Sequence, residues 1–467
     1  MIGKYDGLNA LVLGAGLSGE WAARLLLARG GKAIVLDEGD GVKSADAAAR
    51  IRSAGGAVRF GKGDLPDDAF DVCVVSPAFA LGHPWIAACM ERGIPVISEL
   101  ELGAHYWRGK ILAVTGSKGK SSFVKLCADT LGQVVSASPA GNYGIPLCRL
   151  ALEQPGLQWA VTEVSSFQME HSPTFHPHIA VLLNLQPDHL DRHGSMAEYR
   201  ALKMRMFANM SRRYLNNSDS HSFFYRRELA LFPAGFDVDP AIFKNTDCLF
   251  FGDTPGCDWY YVPSAVRFRS YRGVGPFSKY GNYSIAGSWF DNDVLGPAAA
   301  AGVAALLQAG LPAHAVKQGF KTFQPLPHRM QQIAADRRGT RFVDDSKATS
   351  LSALAAALKM AKAPVRLIAG GVLKEKELGG VKELLTRTTE KVYLIGDCAE
   401  QMFQAWSASV PCEVCGALDQ AVTSAVRESQ PGETVLLSPG AASLDQFTSY
   451  RERGERFGEL VRAVADL

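Results

Sequence analysis

Residues 111–122 read ILAVTGSKGKSS. An apolar strand runs into a glycine-rich loop that closes on Lys-Ser, and FVKLCADTLG behind it carries the periodicity of a helix. Strand, phosphate loop and helix in that order place a nucleoside triphosphate site in an α/β fold. Gly116 and Gly119 let the backbone turn tightly enough for its N–H groups to face phosphate oxygens. Lys120 reaches the terminal phosphates, and Ser121 or Ser122 offers Mg²⁺ a hydroxyl. The helix N-terminus adds a dipole that favours anions. The spacing is Gly-x-x-Gly-Lys-Ser; Val114 stands where the general P-loop carries its first glycine, which points to a subclass of the loop.

Upstream, NALVLGAG, KAIVLDEGD, DVCVVSPA and PVISELEL read as strands, with LSGEWAARLLLARG and WIAACMERG as helices between them. This alternation predicts a parallel sheet with helices on both faces. Downstream, QWAVTEVSS and HIAVLLNLQ continue the central block. Residues 215–285 are irregular and rich in aromatic and turn residues, in the manner of an antiparallel extension. From Pro325 a third block follows, with RFVDDSKA, PVRLIAGG, KVYLIGD and TVLLSPG as buried parallel strands. The expected fold is α/β in three domains: a Rossmann-like domain at 1–106, a P-loop ATPase-like domain at 107–323 and a second Rossmann-like domain at 324–467.

The composition agrees with that division. A chain of 467 residues has room for about three domains of ordinary size. Its hydrophobic share of 47% and charged share of 21% are those of a globular protein with full cores. A net charge of +2 gives no electrostatic case for nucleic acid or an anionic membrane as partner. NALVLGAG is too short for a signal core, and AAAAGVAALLQAG at 298–310 is too short to span a bilayer and reads as a buried helix; a cytoplasmic location is expected. Nine cysteines are scattered through the chain. Cys412 and Cys415 form a C-x-x-C with no second pair, so reduced thiols are expected. His171, His176 and His178 share a proline-containing loop without helical spacing, a poor arrangement for a metal.

Gly14, Gly16 and Gly19 form G-x-G-x-x-G between a strand and a helix, and Asp37 closes the next strand at the distance of a ribose-binding acid. Alone this is a dinucleotide fingerprint and suggests an NAD oxidoreductase. With a P-loop downstream there are two nucleotide sites, which argues for two substrates instead. Glu163 ends a strand beside the P-loop, where a carboxylate is a natural Mg²⁺ ligand; without the P-loop it would read as an exposed strand-end acid. His189, flanked by Asp188 and Asp191, is a second candidate for metal or phosphate. Lys203, in AEYRALKMRMF, reads from its helix alone as a solvated lysine. Asp345 and Lys347 in DDSKATS offer a nucleotide contact and an anion contact. Ser443, in SPGAASLDQF, lies in a turn whose N–H groups suit a carboxylate.

TGSKGKSS, TEVSSFQME, LNLQPDHLDR, EYRALKMRMF, LPHR, DDSKAT and LLSPGAASLDQFTSYRERGERF stand in the order and spacing of the Mur ligases. The chain resembles that family over nearly its whole length except about 210–300, and its last motif is most similar to that of the glutamate-adding member. The resemblance implies an ATP-dependent amide ligase that adds D-glutamate to UDP-N-acetylmuramoyl-L-alanine through an acyl phosphate. That reaction belongs to cytoplasmic peptidoglycan precursor synthesis and so to cell-wall biogenesis, cell shape and cell division. It implies ATP and two Mg²⁺ ions as cofactors, a monomer, and neither nucleic acid nor membrane insertion. Leu17, Ser18, Asp37 and Ser76 would meet the UDP, and Asn142, Ser165 and Gln168 the muramoyl-alanine arm. Gly116, Ser117, Lys118, Gly119, Lys120, Ser121, Ser122, His328, Arg329 and Asp345 would bind ATP. Lys120, Glu163, His189 and Lys203 form the catalytic set; Ser121, Glu163, His189 and Lys203, the last as a carbamate, would hold metal. Lys347, Thr349, Lys374, Ser443 and Tyr450 match the glutamate positions. Departures from the family pattern are Lys118 for Asn, Ala78 for Gly, Tyr450 for Phe and Ser350 for Asn. The His-Asn-x-x-Asn segment is missing from GSWFDNDVLGP, where Asn292 is the nearest stand-in. A related ligase using L-glutamate and a non-catalytic nucleotide-binding regulator of the same fold stay open.

Overall fold

A computed structural model of the chain describes residues 4–210, 228–238, 246–269, 280–361, 364–375 and 377–465. Among these, twenty strands form three sheets. β1 (Asn9–Leu13), β2 (Lys32–Asp37), β3 (Ala57–Phe60), β4 (Val72–Val75) and β5 (Val96–Ser98) form the first, all parallel, in the order β3-β2-β1-β4-β5. The sequence-predicted alternation is present, with β3 in addition. β1 and β4 are buried on both faces, which is why they read as unbroken apolar runs.

The second sheet contains β6 (Lys110–Thr115), β7 (Ala137–Gly141), β8 (Trp159–Glu163), β9 (Ile179–Leu182), β10 (Leu229–Pro233), β11 (Asp247–Gly252), β12 (Trp259–Val262), β13 (Ala265–Arg269) and β14 (Tyr280–Ser284), in the order β14-β13-β12-β11-β10-β9-β6-β8-β7. β12, β13 and β14 pair antiparallel, so the extension expected from 215–285 exists at its far end, whereas β10 and β11 stay parallel. The parts of that expectation on 215–227, 239–245 and 270–279 lie outside the described residues. Helix Gly296–Gln308, the Ala-rich run, is buried along most of its length against this sheet.

β15 (Gln331–Ala335), β16 (Arg341–Asp344), β17 (Val365–Gly370), β18 (Thr389–Ile395), β19 (Cys412–Gly416) and β20 (Thr434–Leu437) make the third sheet, in the order β15-β16-β20-β17-β18-β19, with β15 alone antiparallel.

The chain divides into two compact units, 1–291 with 295–323, and 292–294 with 324–467. The first holds two sheets. Helix Glu99–Tyr106 links them, and it lies so close to the start of helix Leu147–Glu153 that a methyl on Gly103 would overlap the Leu147–Cys148 backbone. One apolar core runs from Val12 and Leu26 through Leu102 and Leu147 to Ala160 and Leu182. In each sheet the strand order reverses at an interior strand: β1 in the first, β6 in the second, and β16 to β17 around β20 in the third. Crevices for ligands open at the carboxyl ends of strands at such reversals. The glycine-rich turn, the P-loop, DDSKATS and SPGAASLDQF all fall there.

Candidate active site

β6 delivers the P-loop at the centre of the second sheet. Gly116 (φ +151°) and Gly119 (φ +84°) occupy backbone conformations that favour glycine, and Gly119 caps helix Lys120–Gly132. That helix buries Phe123, Val124, Leu126, Cys127 and Leu131 against the sheet. At about 1.5–3 kcal/mol for each large apolar side chain buried, this anchors the loop firmly. Asn184, beyond β9, accepts the N–H groups of Ser117 and Lys118 on Oδ1 at 3.1 and 2.9 Å and donates from Nδ2 to the Lys118 carbonyl at 3.0 Å. Ser117 Oγ donates to the Gln186 carbonyl (2.8 Å) and lies 3.1 Å from the Tyr199 hydroxyl. Lys118 is exposed and pairs with Asp188 at 3.5 Å.

Two ammonium groups converge on this loop. Lys120 Nζ donates to the Gly116 and Ser117 carbonyls at 2.8 and 3.1 Å. Lys203 Nζ donates to the same Gly116 carbonyl at 2.9 Å and lies 3.4 Å from Thr115 Oγ1. Lys203 is only 2% exposed, which corrects its reading as a solvated lysine: the helix periodicity shows mixed charge but not which face the sheet covers. Burial draws its ammonium down to about 7; the nearby Lys120 charge adds to this, and Asp188 and Glu163 oppose it. Glu163, at the end of β8, is buried rather than an exposed strand-end acid. Its Oε1 accepts from Asn142 Nδ2 at 2.8 Å, and its buried Oε2 finds no hydrogen-bond partner among the described residues. An orphaned carboxylate oxygen beside a phosphate loop is a hard donor suited to Mg²⁺, and Ser121, on the first turn of helix Lys120–Gly132, supplies a hydroxyl. His189 sits half-exposed in a left-handed conformation (φ +55°), 3.9 Å from Asp188 and edge-on to Phe167. Among the described residues no three His, Cys, Asp or Glu side chains form a metal-holding group; a second cation there needs an anionic oxygen from elsewhere.

Ser165 and Gln168 form a capping box on the short helix Ser166–Met169: Gln168 Oε1 accepts the Ser165 N–H at 2.9 Å and the Ser165 hydroxyl at 3.0 Å. Their first role is thus to shape the loop after β8. In the first sheet, Asp37 accepts the Ala15 N–H (2.7 Å) and the Gly39 N–H (2.9 Å), bracing the glycine-rich turn. Leu17 stands 55% exposed at that turn, Ser18 beside it is half-buried, and Ser76 faces it, close enough that a methyl on Gly14 would touch the Ser76 Cβ.

In the second unit, Asp345 is buried at the end of β16, accepting from Ser438 Oγ (2.8 Å) and the Met330 N–H (3.1 Å). Burial pushes its carboxyl up to about 7. His328 (φ +62°) bonds Asp344 through Nδ1 at 2.7 Å, and Met330 is also left-handed at φ +44°. Two such non-glycine residues in one turn, at about 1–3 kcal/mol of strain each, mark a backbone held for a purpose. Arg329 lies between them. Lys347 Nζ lies over the Tyr450 ring at 5.1 Å, and the Lys347 and Arg451 cations hold the phenol below its ordinary range against the effect of burial. Ser443 is buried, Thr349 half-buried and Lys374 exposed. Arg453, 1% exposed, ties the three strand ends together by donating to the Ser346, Gly370 and Ala441 carbonyls and to Ser346 Oγ. Asn292 accepts the Val294 N–H at 3.1 Å. Asn184, Tyr199 and Arg453 were not foreseen as site residues. All three lie inside motifs quoted above, but each motif holds other polar and charged residues, so no local signal set them apart.

Two family models match the chain: the Mur ligase middle domain over residues 114–232 and the Mur ligase, glutamate ligase domain over residues 328–440. The UDP-N-acetylmuramoylalanine–D-glutamate ligase of Acidobacterium capsulatum is 32% identical, covering 98% of this chain and 97% of that protein. The enzyme of that name from Nitratidesulfovibrio vulgaris is 34% identical, covering 99% and 98%. The crystal structure of MurF ligase from Thermotoga maritima in complex with ADP superposes with a TM-score of 0.56 at 16% identity, covering 93% of this chain and 96% of that one.

Proposed function

The chain belongs to the Mur ligase family, and on that premise we propose that it joins D-glutamate to UDP-N-acetylmuramoyl-L-alanine at the expense of ATP. The observation that carries this reading is the convergence of Lys120 and Lys203 on the Gly116 carbonyl, with the unpartnered Glu163 oxygen at the end of the neighbouring strand. The loop N–H groups and Lys120 bind the triphosphate. The alanyl carboxylate attacks the γ-phosphorus, the bond to ADP breaks, and an acyl phosphate forms. The unprotonated glutamate amine attacks the acyl carbon; the tetrahedral intermediate expels phosphate, and a proton leaves the nitrogen to solvent. Lys120 offsets negative charge on the transferred phosphoryl group throughout. Two Mg²⁺ ions, when bound, neutralise the phosphate oxygens, one at Ser121 and Glu163, the other at His189 and a carbamate on Lys203. A lysine whose ammonium is drawn down to about 7 holds the neutral amine that carbon dioxide requires.

In this reading residues 1–106 bind the UDP through Leu17, Ser18, Asp37 and Ser76, and 107–323 bind ATP and, through Asn142, Ser165 and Gln168, the muramoyl-alanine arm. Within residues 324–467, His328, Arg329 and Asp345 are the nucleotide contacts, and Lys347, Thr349, Lys374, Ser443 and Tyr450 hold glutamate. The enzyme works as a cytoplasmic monomer; among the described residues no helix is long and apolar enough to cross a membrane. The test is steady-state ligation with D-glutamate, L-glutamate and alanine at saturating ATP and UDP-N-acetylmuramoyl-L-alanine. D-glutamate should be used at least a hundredfold more efficiently than either rival, and Lys347→Met should raise its KM far more than that of ATP. Equal use of alanine, or an unchanged glutamate KM in the variant, overturns the assignment.

A further inference from the structure

Arg192 follows His189 in the short helix Leu190–His193, and the guanidinium reaches out of the second sheet into the first. Nε and Nη2 clasp the carboxylate of Glu170 at 3.1 and 2.6 Å, while Nη1 donates to the Pro77 carbonyl at 3.0 Å and Nη2 to the Phe79 carbonyl at 2.6 Å. The guanidinium lies 4.1 Å from the centre of the Phe167 ring. Pro77 and Phe79 belong to the loop after β4, on one side of the crevice at the strand reversal, and a methyl on Gly14 would meet both Ser76 and Phe79. Glu170 is buried and lies 3.7 Å from His193 Nδ1. His193 bonds Ser166 at 2.9 Å and stacks on Tyr199, whose hydroxyl reaches Ser117 of the P-loop. A continuous set of packed polar side chains thus runs from the phosphate loop to the loop at the end of β4.

We propose that Arg192 is a positioning residue that fixes the 76–79 loop against the P-loop, so that a nucleoside-diphosphate substrate bound at the first sheet holds its distal carboxylate within reach of the γ-phosphate. The inference rests on the function proposed above. Planar, bidentate pairing to Glu170 leaves the fork's remaining N–H directions aimed at two carbonyls, a geometry a lysine cannot reproduce. A rigid loop keeps the nucleotide end of the substrate in one place and spares the ordering cost on binding.

The experiment compares wild type, Arg192→Lys and Glu170→Gln in the full chain. It measures KM for UDP-N-acetylmuramoyl-L-alanine and for ATP, calorimetric binding of UDP alone, and thermal melting. Arg192→Lys should raise KM for the UDP substrate on the order of tenfold and weaken UDP binding comparably, leave KM for ATP within about twofold, and melt within a few degrees of wild type. Glu170→Gln keeps an acceptor for the fork and should show the same pattern at smaller size. An unchanged UDP-substrate KM in Arg192→Lys overturns the proposal, as does an equal loss of ATP and UDP binding together with a collapsed melting temperature in both variants. If wild type itself neither binds UDP nor ligates, it is the proposed function that fails.

Discussion

Lys203 shows how one residue's meaning depends on its surroundings. Its helix carries mixed charge, and only the structure shows that the ammonium is enclosed beside Thr115 and Gly116. A buried cation beside a second cation is a poor arrangement unless its charge is altered. Conversion to a carbamate inverts the sign and supplies an oxygen donor toward a metal. Lys203→Ala should therefore lower ligation on the order of a hundredfold or more, and a short carboxylate such as formate or acetate should restore part of it, because a free anion can enter the vacated space. Lys203→Arg, which cannot be carbamylated, should be as poor as the alanine variant and gain nothing from added carboxylate. Full activity in the arginine variant would end the carbamate reading. Lys120 and Glu163 were legible because strand, loop and helix fix their positions within a few residues of sequence. Asn184 was not, since its partners Ser117 and Lys118 lie 67 and 66 residues away, and no local pattern reveals a contact of that length.

Among the elements, the apolar strands around each strand reversal were readable, and the edge strands β3, β7, β15 and β19 were not. β7 reads Ala-Ser-Pro-Ala-Gly and carries neither β-branched nor aromatic residues. It becomes a strand because it pairs along β8 from Ala137 with Trp159 to Gly141 with Glu163, so tertiary pairing overrides propensity. The join between the first two sheets was equally hidden, and Glu99 is one of its polar contacts. This carboxylate, in helix Glu99–Tyr106, accepts the Cys148 N–H at 2.6 Å near the start of helix Leu147–Glu153. Complete burial raises its pKa from 4.5 to about 7, against the pull of that backbone bond. Between those values the folded protein keeps a proton that the unfolded chain has lost, so this group's contribution to stability falls as pH rises from about 4.5 to 7 and is level beyond. Glu99→Gln removes the titration while keeping an acceptor. Urea midpoints at pH 5 and pH 8 should show the wild type losing stability relative to the variant across that interval. Parallel pH profiles would mean that Glu99 does not titrate in this window.

At the scale of the whole chain, the two units each bury their own apolar residues: one set runs through the first two sheets, and the third sheet carries two, one with Leu367 and Leu394 and one with Phe342 and Phe457. The sequence showed three α/β blocks because each begins with a glycine-rich or acidic turn at a strand end. It did not show that the first two share a core, since Gly103 and Leu147 meet only in space. In the proposed reaction the acyl phosphate forms on the first unit, while all five residues assigned to glutamate sit on the second. The covalent connection therefore supplies the local concentration of one site near the other, typically millimolar for a short tether. Fragments 1–323 and 324–467 test this directly. The second should melt cooperatively on its own, having a complete six-stranded sheet and buried apolar residues on both of its faces. The first should still bind ATP. Mixed at about 1 μM each, they should ligate on the order of a thousandfold more slowly than the intact chain, the ratio of micromolar to millimolar concentration. The rate should then climb in proportion to the concentration of the added fragment. Wild-type turnover from the micromolar mixture would show that the connecting backbone contributes nothing to bringing amine and acyl phosphate together.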